Sequence, residues 1–422
     1  MTLHPKARRS PGRGLDRRGF LQGSLAVGAG AVGLAALSGC GNGSGTPNFD
    51  IGQIAEAPYP LARPDKPVKL EIYSDNPPIA DNLPPETGGT FRVLNYADYM
   101  NPALMKAFGQ KYNVDLQVTP FNNYDEMLQK LTQPNVYFDI VFPGPSVLGK
   151  LVYTKLIQPL NKTYFDHFKN LYEAYQSPWY DVDAQYTVPY TVYTTGVTYR
   201  RDRVDSVPEN GYDLLWDPKY KGETYILDDR GEAIGMSLLR NHITTDINTG
   251  NEDYLNKATD SLIELISLVN VKTGIQDYVF IPSGQATVYQ GWSGDILGAL
   301  QYLPKGTSSS VLGYWVPDKD FVVGSDSIAI PKSSKKPVIA HKMMDELMSP
   351  EGALTNFTWT GYQPPVQSIT PEGLIKDGLI PDNLTNAVIR ADDFAKGLAF
   401  YETSPAIDEL WQNEWSRFQA GG

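Results

Sequence analysis

The chain of 422 residues carries 36 Lys and Arg against 48 Asp and Glu, a formal net charge of −12, and a single cysteine. One cysteine excludes internal disulfides, so the fold rests on its core, and the length exceeds what one core fills, which implies two domains. The acidic balance disfavours nucleic acid, whose binding depends on Lys and Arg neutralising phosphates, and it favours cations.

In chain order, Lys6, Arg8, Arg9, Arg13, Arg17 and Arg18 precede an uncharged stretch from Gly19 to Phe49, apolar and rich in Gly and Ala between Leu25 and Leu37. This is the pattern of an export signal, and Arg17-Arg18 in Asp16-Arg-Arg-Gly-Phe-Leu21 resembles the twin-arginine (Tat) signal of folded-protein export. Leu37-Ser-Gly-Cys40 is similar to a lipobox, in which Cys40 becomes the lipidated first residue of the mature chain. The competing reading is a membrane-crossing helix over 19–39 with Cys40 buried. Cleavage before Cys40 removes six basic residues and one acidic residue, leaving 30 basic and 47 acidic, a net charge near −17. Residues 40–89 hold a Gly- and Ser-containing spacer and nine prolines between Pro47 and Pro85, and are expected to form a tether with one short strand, Val68 to Tyr73.

Beyond Gly88-Gly89 the pattern predicts strand 90–95, helix 102–112, strand 114–118, helix 124–131 and strand 137–142. Later come strand 225–227, a helix from about 232 to 240, a helix over 251–269, strand 288–290 and strand 325–330. Leu255, Ala258, Leu262, Leu265, Ile266 and Val269 share one helical face. Ile407, Leu410, Trp411, Trp415 and Phe418 form a stripe expected in the core. The alternation predicts an α/β fold with parallel strand pairs.

The four histidines are widely separated, and there is no HExxH, GxSxG, Walker A loop or Cys/His metal spacing. What stands out is acid beside aromatic in loops next to strands: Asn95-Tyr-Ala-Asp-Tyr99, Asp228-Asp-Arg-Gly-Glu232, Gly291-Trp-Ser-Gly-Asp295 and Gly324-Ser-Asp-Ser327. In open α/β sheets ligands bind beyond the carboxyl ends of strands. A protonated amine needs a carboxylate for a charge-assisted hydrogen bond and an aromatic face for cation–π attraction. Asp in a strand-to-helix loop also commonly caps the helix, and for Asp228 and Asp229 both readings stand.

These segments, with Phe138-Asp-Ile-Val-Phe-Pro143, Leu156-Ile-Gln-Pro-Leu160, Thr187-Val-Pro-Tyr190, Leu215-Trp-Asp-Pro-Lys-Tyr-Lys-Gly222, Asp326-Ser-Ile-Ala-Ile-Pro331 and Gly361-Tyr362, resemble the spermidine/putrescine-binding proteins of bacterial ABC importers from about Gly89 onward. The resemblance implies a two-lobed periplasmic-binding-protein fold with crossing strands and an interlobe cleft, lobe 1 comprising 90–191 and 326–385 and lobe 2 comprising 192–325 and 386–422. It places ligand contacts at Tyr96, Asp98, Asp229, Glu232, Trp292, Asp326 and Tyr362. Ser146 falls where a tyrosine is usual and Gly324 where a second tryptophan is common, so the length of the ligand stays open. The implied function is capture of a cationic polyamine by a monomer anchored through Cys40 on the outer face of the membrane. Delivery is to an ABC permease and its ATPase, with no cofactor, metal or catalysis. A ferric-ion or other small-solute receptor of the same fold is one alternative; no Tyr-Tyr pair of the kind iron receptors present occurs. A surface-anchored hydrolase using Asp229, Glu232 or Asp326 is another.

Overall fold

The computed structural model describes residues 56–390 and 392–421. The expected leader, the lipidation site Cys40 and the spacer that follows lie outside the described residues. Strand β1 (Thr90–Asn95) opens a parallel unit. Helix α1 (Pro102–Tyr112) begins on Asn101, whose side chain accepts from the N–H groups of Ala103 and Leu104, with Pro102 where a missing N–H costs little. Strand β2 (Asp115–Pro120) pairs parallel with β1, Val93 opposite Val118. Helix α2 (Tyr124–Leu131) is capped by Asn123, and β3 (Ile140–Val141) flanks β1 on its other side. Helix α3 (Leu148–Tyr153) and β4 (Ile157–Gln158) lead to β5 (Thr187–Arg200), the long central strand.

A second parallel unit follows. It contains β6 (Thr224–Leu227), α4 (Arg230–Arg240), α5 (Glu252–Val269), β7 (Lys272–Gly274), α6 (Asp277–Ser283), β8 (Val288–Trp292) and α7 (Ser293–Gly298). After β9 (Leu312–Trp315), strand β10 (Phe321–Pro331) returns antiparallel along the first half of β5, whose second half pairs with β8 and β9. The sheet order is β2-β1-β3-β10-β5-β8-β6-β7, so β5 and β10 are the only elements of that path common to both parallel units. This is a two-lobed α/β arrangement joined by crossing strands. Helices α8 (Pro337–Met348) and α9 (Pro350–Thr360) then cover the β1 side, and β11 (Gly397–Leu398) adds to β10. Helix α10 (Pro405–Gln419) packs on α5.

Each half has its own apolar centre. Leu238, Leu255, Leu262, Leu265, Trp411 and Trp415 pack together in one, and Leu94, Met127, Val141 and Leu151 in the other. Burying each such side chain contributes roughly 1.5–3 kcal/mol. Trp411, Trp415 and Phe418 are thus core, as expected, whereas Ile266 is 37% exposed and leaves the predicted stripe. It lies next to Leu265, which takes the inward position of that turn.

Val68 to Tyr73 is not a strand. Val68 instead exchanges single backbone hydrogen bonds with Trp179 and Val182, and Val68 and Leu70 are buried. The proline-rich stretch therefore lies along the domain from Tyr59 onward, Tyr59 packing on Tyr153 and bonding to Glu402, with Val68 and Leu70 buried without a ladder. Of the strand expected over 137–142 only Ile140 and Val141 pair. No helix among the described residues is long and apolar enough to cross a membrane.

Candidate functional site

Between the two halves lies a cavity of about 1490 Å³, larger than a small solute requires. Its walls include Tyr96, Tyr124, Tyr193, Asp229, Glu232 and Trp292. Tyr96 follows the end of β1 and rests on Phe121, ring centroids 4.3 Å apart. Asp229 ends the loop after β6 and caps α4, its Oδ1 accepting the N–H of Glu232 at 3.0 Å. It thus both caps the helix and lines the cavity.

Glu232 is 5% exposed. Its Oε1 accepts the indole N–H of Trp292 at 3.0 Å, while its Oε2 makes no hydrogen bond of full geometry. Burial, then the nearby charge of Asp229, push its carboxyl up to about 8. Asp229 is also raised, chiefly by burial. Arg230 pairs with Asp408, 2.6 Å away, and its charge offsets only part of the effect of burial on Asp229.

Asp326 sits under the opposite end of the floor. Its carboxylate accepts from Tyr99 at 2.7 Å and Tyr124 at 2.9 Å, and burial lifts it to about 6 despite those donors. The β5–β10 register slips between Asp326 and Ser327, a bulge that locally redirects side chains. Opposed positions in the register share a face, which sets Asp326 beside Thr191, Gly324 beside Tyr193 and Trp292 beside Thr195. Thr191, Tyr193 and Thr195 alternate along β5 and so form one line between the acids.

The expected contacts separate into three places. Tyr96, Asp229, Glu232 and Trp292 stand on the cavity wall. Asp326 and Tyr362 are buried directly behind it, Tyr362 packing edge-on against both Tyr99 and Tyr193. Asp98 is exposed at the rim, with a left-handed backbone (φ 55), and its carboxylate accepts from Tyr302 at 2.9 Å. Asp295 does not reach the wall. It is 7% exposed and raised to about 6 by burial, and it neighbours Asp277, whose two carboxyl oxygens have no hydrogen-bond partner.

Tyr99, Tyr124 and Tyr193 were missed in the sequence. The signal for Tyr193 was the Thr-x-Tyr-x-Thr alternation that continues Thr187-Val-Pro-Tyr190, the mark of a strand with one polar face. Tyr124 reads as an ordinary first-turn residue of α2, and only the fold brings its hydroxyl to Asp326.

Residues 103–381, more than half of the chain, match the family model of the bacterial extracellular solute-binding proteins. The chain belongs to that family. The putrescine-binding periplasmic protein PotF of Escherichia coli (strain K12) is 24% identical over 348 residues, covering 79% of this chain and 92% of that protein. The spermidine/putrescine-binding periplasmic protein of the same organism is 26% identical over 304 residues, covering 70% and 84%. A solved structure described as a putative spermidine/putrescine ABC transporter from Listeria monocytogenes superposes with a TM-score of 0.68 at 22% identity, covering 78% of this chain and 98% of that one. The solute-binding family and the superposed fold agree with the cavity between two halves, and binding, not turnover, is what the family does. Among the described residues no group of three or more His, Cys, Asp or Glu is placed to hold a metal ion.

Proposed function

We propose that this protein captures a linear polyamine of the spermidine/putrescine class in the cleft between its halves and passes it to an ABC permease with its ATPase. The observation that carries the reading is Oε2 of Glu232: a buried carboxylate oxygen of a cavity-wall residue that makes no hydrogen bond of full geometry, with the Thr195 hydroxyl as its nearby donor. Leaving a buried acceptor unpaired is costly, and an entering ammonium supplies both the donor and the charge. Trp292, Tyr193 and Tyr96 offer aromatic faces for the charge and the methylenes. Asp326, buried behind the wall under Tyr99 and Tyr124, adds a second negative charge beside the cleft. The names of the relatives point to the same solutes.

The reading includes export and anchoring. The twin arginine at Arg17-Arg18 and the lipobox ending at Cys40 support a lipoprotein held on the outer face of the membrane, with the two lobes divided within β5 and β10. No reaction of the solute is part of it. Titration calorimetry with putrescine, cadaverine, spermidine and spermine tests it, with ferric citrate and phosphate as contrasts. Saturable binding of one or more amines is expected, and binding of an anion or iron with no response to amines would overturn it.

A further inference from the structure

Gly324 and Tyr193 face each other across the crossing strands. A Cβ on Gly324 would lie 2.2 Å from Cζ of Tyr193, so the Tyr193 ring fills the space that a side chain on β10 would occupy. The ring meets Trp292 edge-on, centroids 6.2 Å apart, and Tyr362 likewise at 5.9 Å. Its hydroxyl lies over Gly324, 2.5 Å from where a Cβ there would be, and the side chain lines the cavity. Burial, then Asp326, then Glu232 raise this phenol well above its ordinary range, so it stays neutral and can both donate and accept.

The line along β5 gives the order of contacts. Asp326 lies beside Thr191, Tyr193 follows two residues on, and Trp292, with Glu232 on its indole, lies beside Thr195. Thr191 to Thr195 is a run of roughly 13 Å along an extended strand. Resting on the reading of this cleft as a polyamine site, we infer that the Tyr193 hydroxyl contacts the middle of the bound chain and selects a triamine, whose internal nitrogen it accepts a hydrogen bond from, over a diamine. With methylenes opposite, the phenol oxygen is closed off from water without a partner. With a secondary ammonium opposite, it is satisfied. The ring holds this position because Gly324 leaves it room, so the two residues act as a pair.

The test compares spermidine with the eight-carbon diamine of the same length, which differs only at the internal nitrogen. Calorimetry on the wild type is expected to favour spermidine by about tenfold or more, the scale of one hydrogen bond to a charged group. Tyr193→Phe keeps the ring and is expected to bind the two within about twofold of each other, the selective bond being gone. Gly324→Ala, which pushes the ring aside, is expected to reduce the preference as well. Loss of binding to both ligands in equal measure would be a structural effect and would overturn the assignment, as would a preference that survives Tyr193→Phe. A wild type that binds both amines without preference sinks the selectivity of Tyr193 and leaves the polyamine reading intact. A wild type that binds neither amine sinks the polyamine reading itself.

Discussion

Glu232 is the residue on which the site turns, and its surroundings set a sign that can be measured. Its carboxyl titrates near 8 in the empty folded protein, against an ordinary value of 4.5. The folded state therefore holds this proton more tightly than the unfolded chain does. Stability contributed by the neutral form is intact below about 4.5 and is lost as pH rises towards 8. Asp326 and Asp295, raised to about 6, and Glu402, raised to about 7, act in the same direction. Ligand-free protein is thus expected to melt at a lower temperature at pH 8 than at pH 5, and Glu232→Gln to reduce the part of that fall above pH 6. A melting temperature that climbs across this window would contradict the assignment. In binding, Glu232→Gln is expected to weaken spermidine by about a hundredfold, in keeping with ~3 kcal/mol for a buried charge deprived of its partner. Asp98→Asn offers the contrast. Its exposed carboxylate meets only Tyr302 among side-chain donors, so calorimetry is expected to find affinity changed by less than about threefold, the scale of a surface charge.

At the level of elements, α4 shows how one side chain serves fold and site together. Asp229 accepts the N–H of Glu232 and so anchors the first turn that carries the key carboxylate. Asn caps as well as Asp but carries no charge. Asp229→Asn is therefore expected to preserve the melting temperature and weaken amine binding, whereas Asp229→Ala loses about 1 kcal/mol of stability as well, measured by urea denaturation. A loss of stability in the Asn variant equal to that in Ala would show that the charge, not the cap, holds α4. Most helices and strands of the two parallel units were legible in the sequence because the amphipathic segments are bounded by a cap or turn, as with Asn101-Pro102 and Asn123, while the short β7, α6 and α7 went unread. The crossing strands were less so: β10 begins at Phe321, not Ser325, and no strand was read anywhere along β5, Thr187-Val-Pro-Tyr190 entering only as a motif of the resemblance. Buried on both faces, these strands carry at most a short alternation such as Thr191-x-Tyr193-x-Thr195, not the sustained apolar-polar pattern of a half-exposed strand. The same gap explains the site. Tyr96, Asp229, Glu232 and Trp292 sit at strand ends or helix starts with local signals, while Tyr193 and Tyr124 reach the cleft only through strand pairing and helix packing that no local window contains.

For the whole molecule, several contacts span the cleft. Arg230 of α4 lies 3.9 Å from Asp125 of α2, Tyr302 bonds to Asp98 at the rim, and the backbone N–H of Lys150 and the Tyr59 hydroxyl both donate to Glu402. Closure on this side brings Asp229 and Glu232 towards Asp326 with no cation between them, and Coulomb repulsion in a site shielded from water opposes that approach. Glu232 records this conflict, raised by burial and then by Asp229, with Asp326 a smaller cause, whereas Asp326 is raised by burial. Two ways of relieving the conflict follow: protonation, or an ammonium ligand. The hinge motion of two domains around a solute is then driven by charge neutralisation as much as by contact area. Small-angle scattering separates these cases. At pH 8 the ligand-free protein is expected to be open and to contract on adding spermidine. At pH 5, with Glu232, Glu402 and Asp326 largely protonated, it is expected to be compact without ligand and to change little when spermidine is added. The double variant Glu232→Gln with Asp326→Asn should be compact at both pH values. A radius of gyration that ignores pH and the neutral variant, yet still shrinks with ligand, would mean that contacts to the solute drive closure and that the acidic cluster only selects what enters.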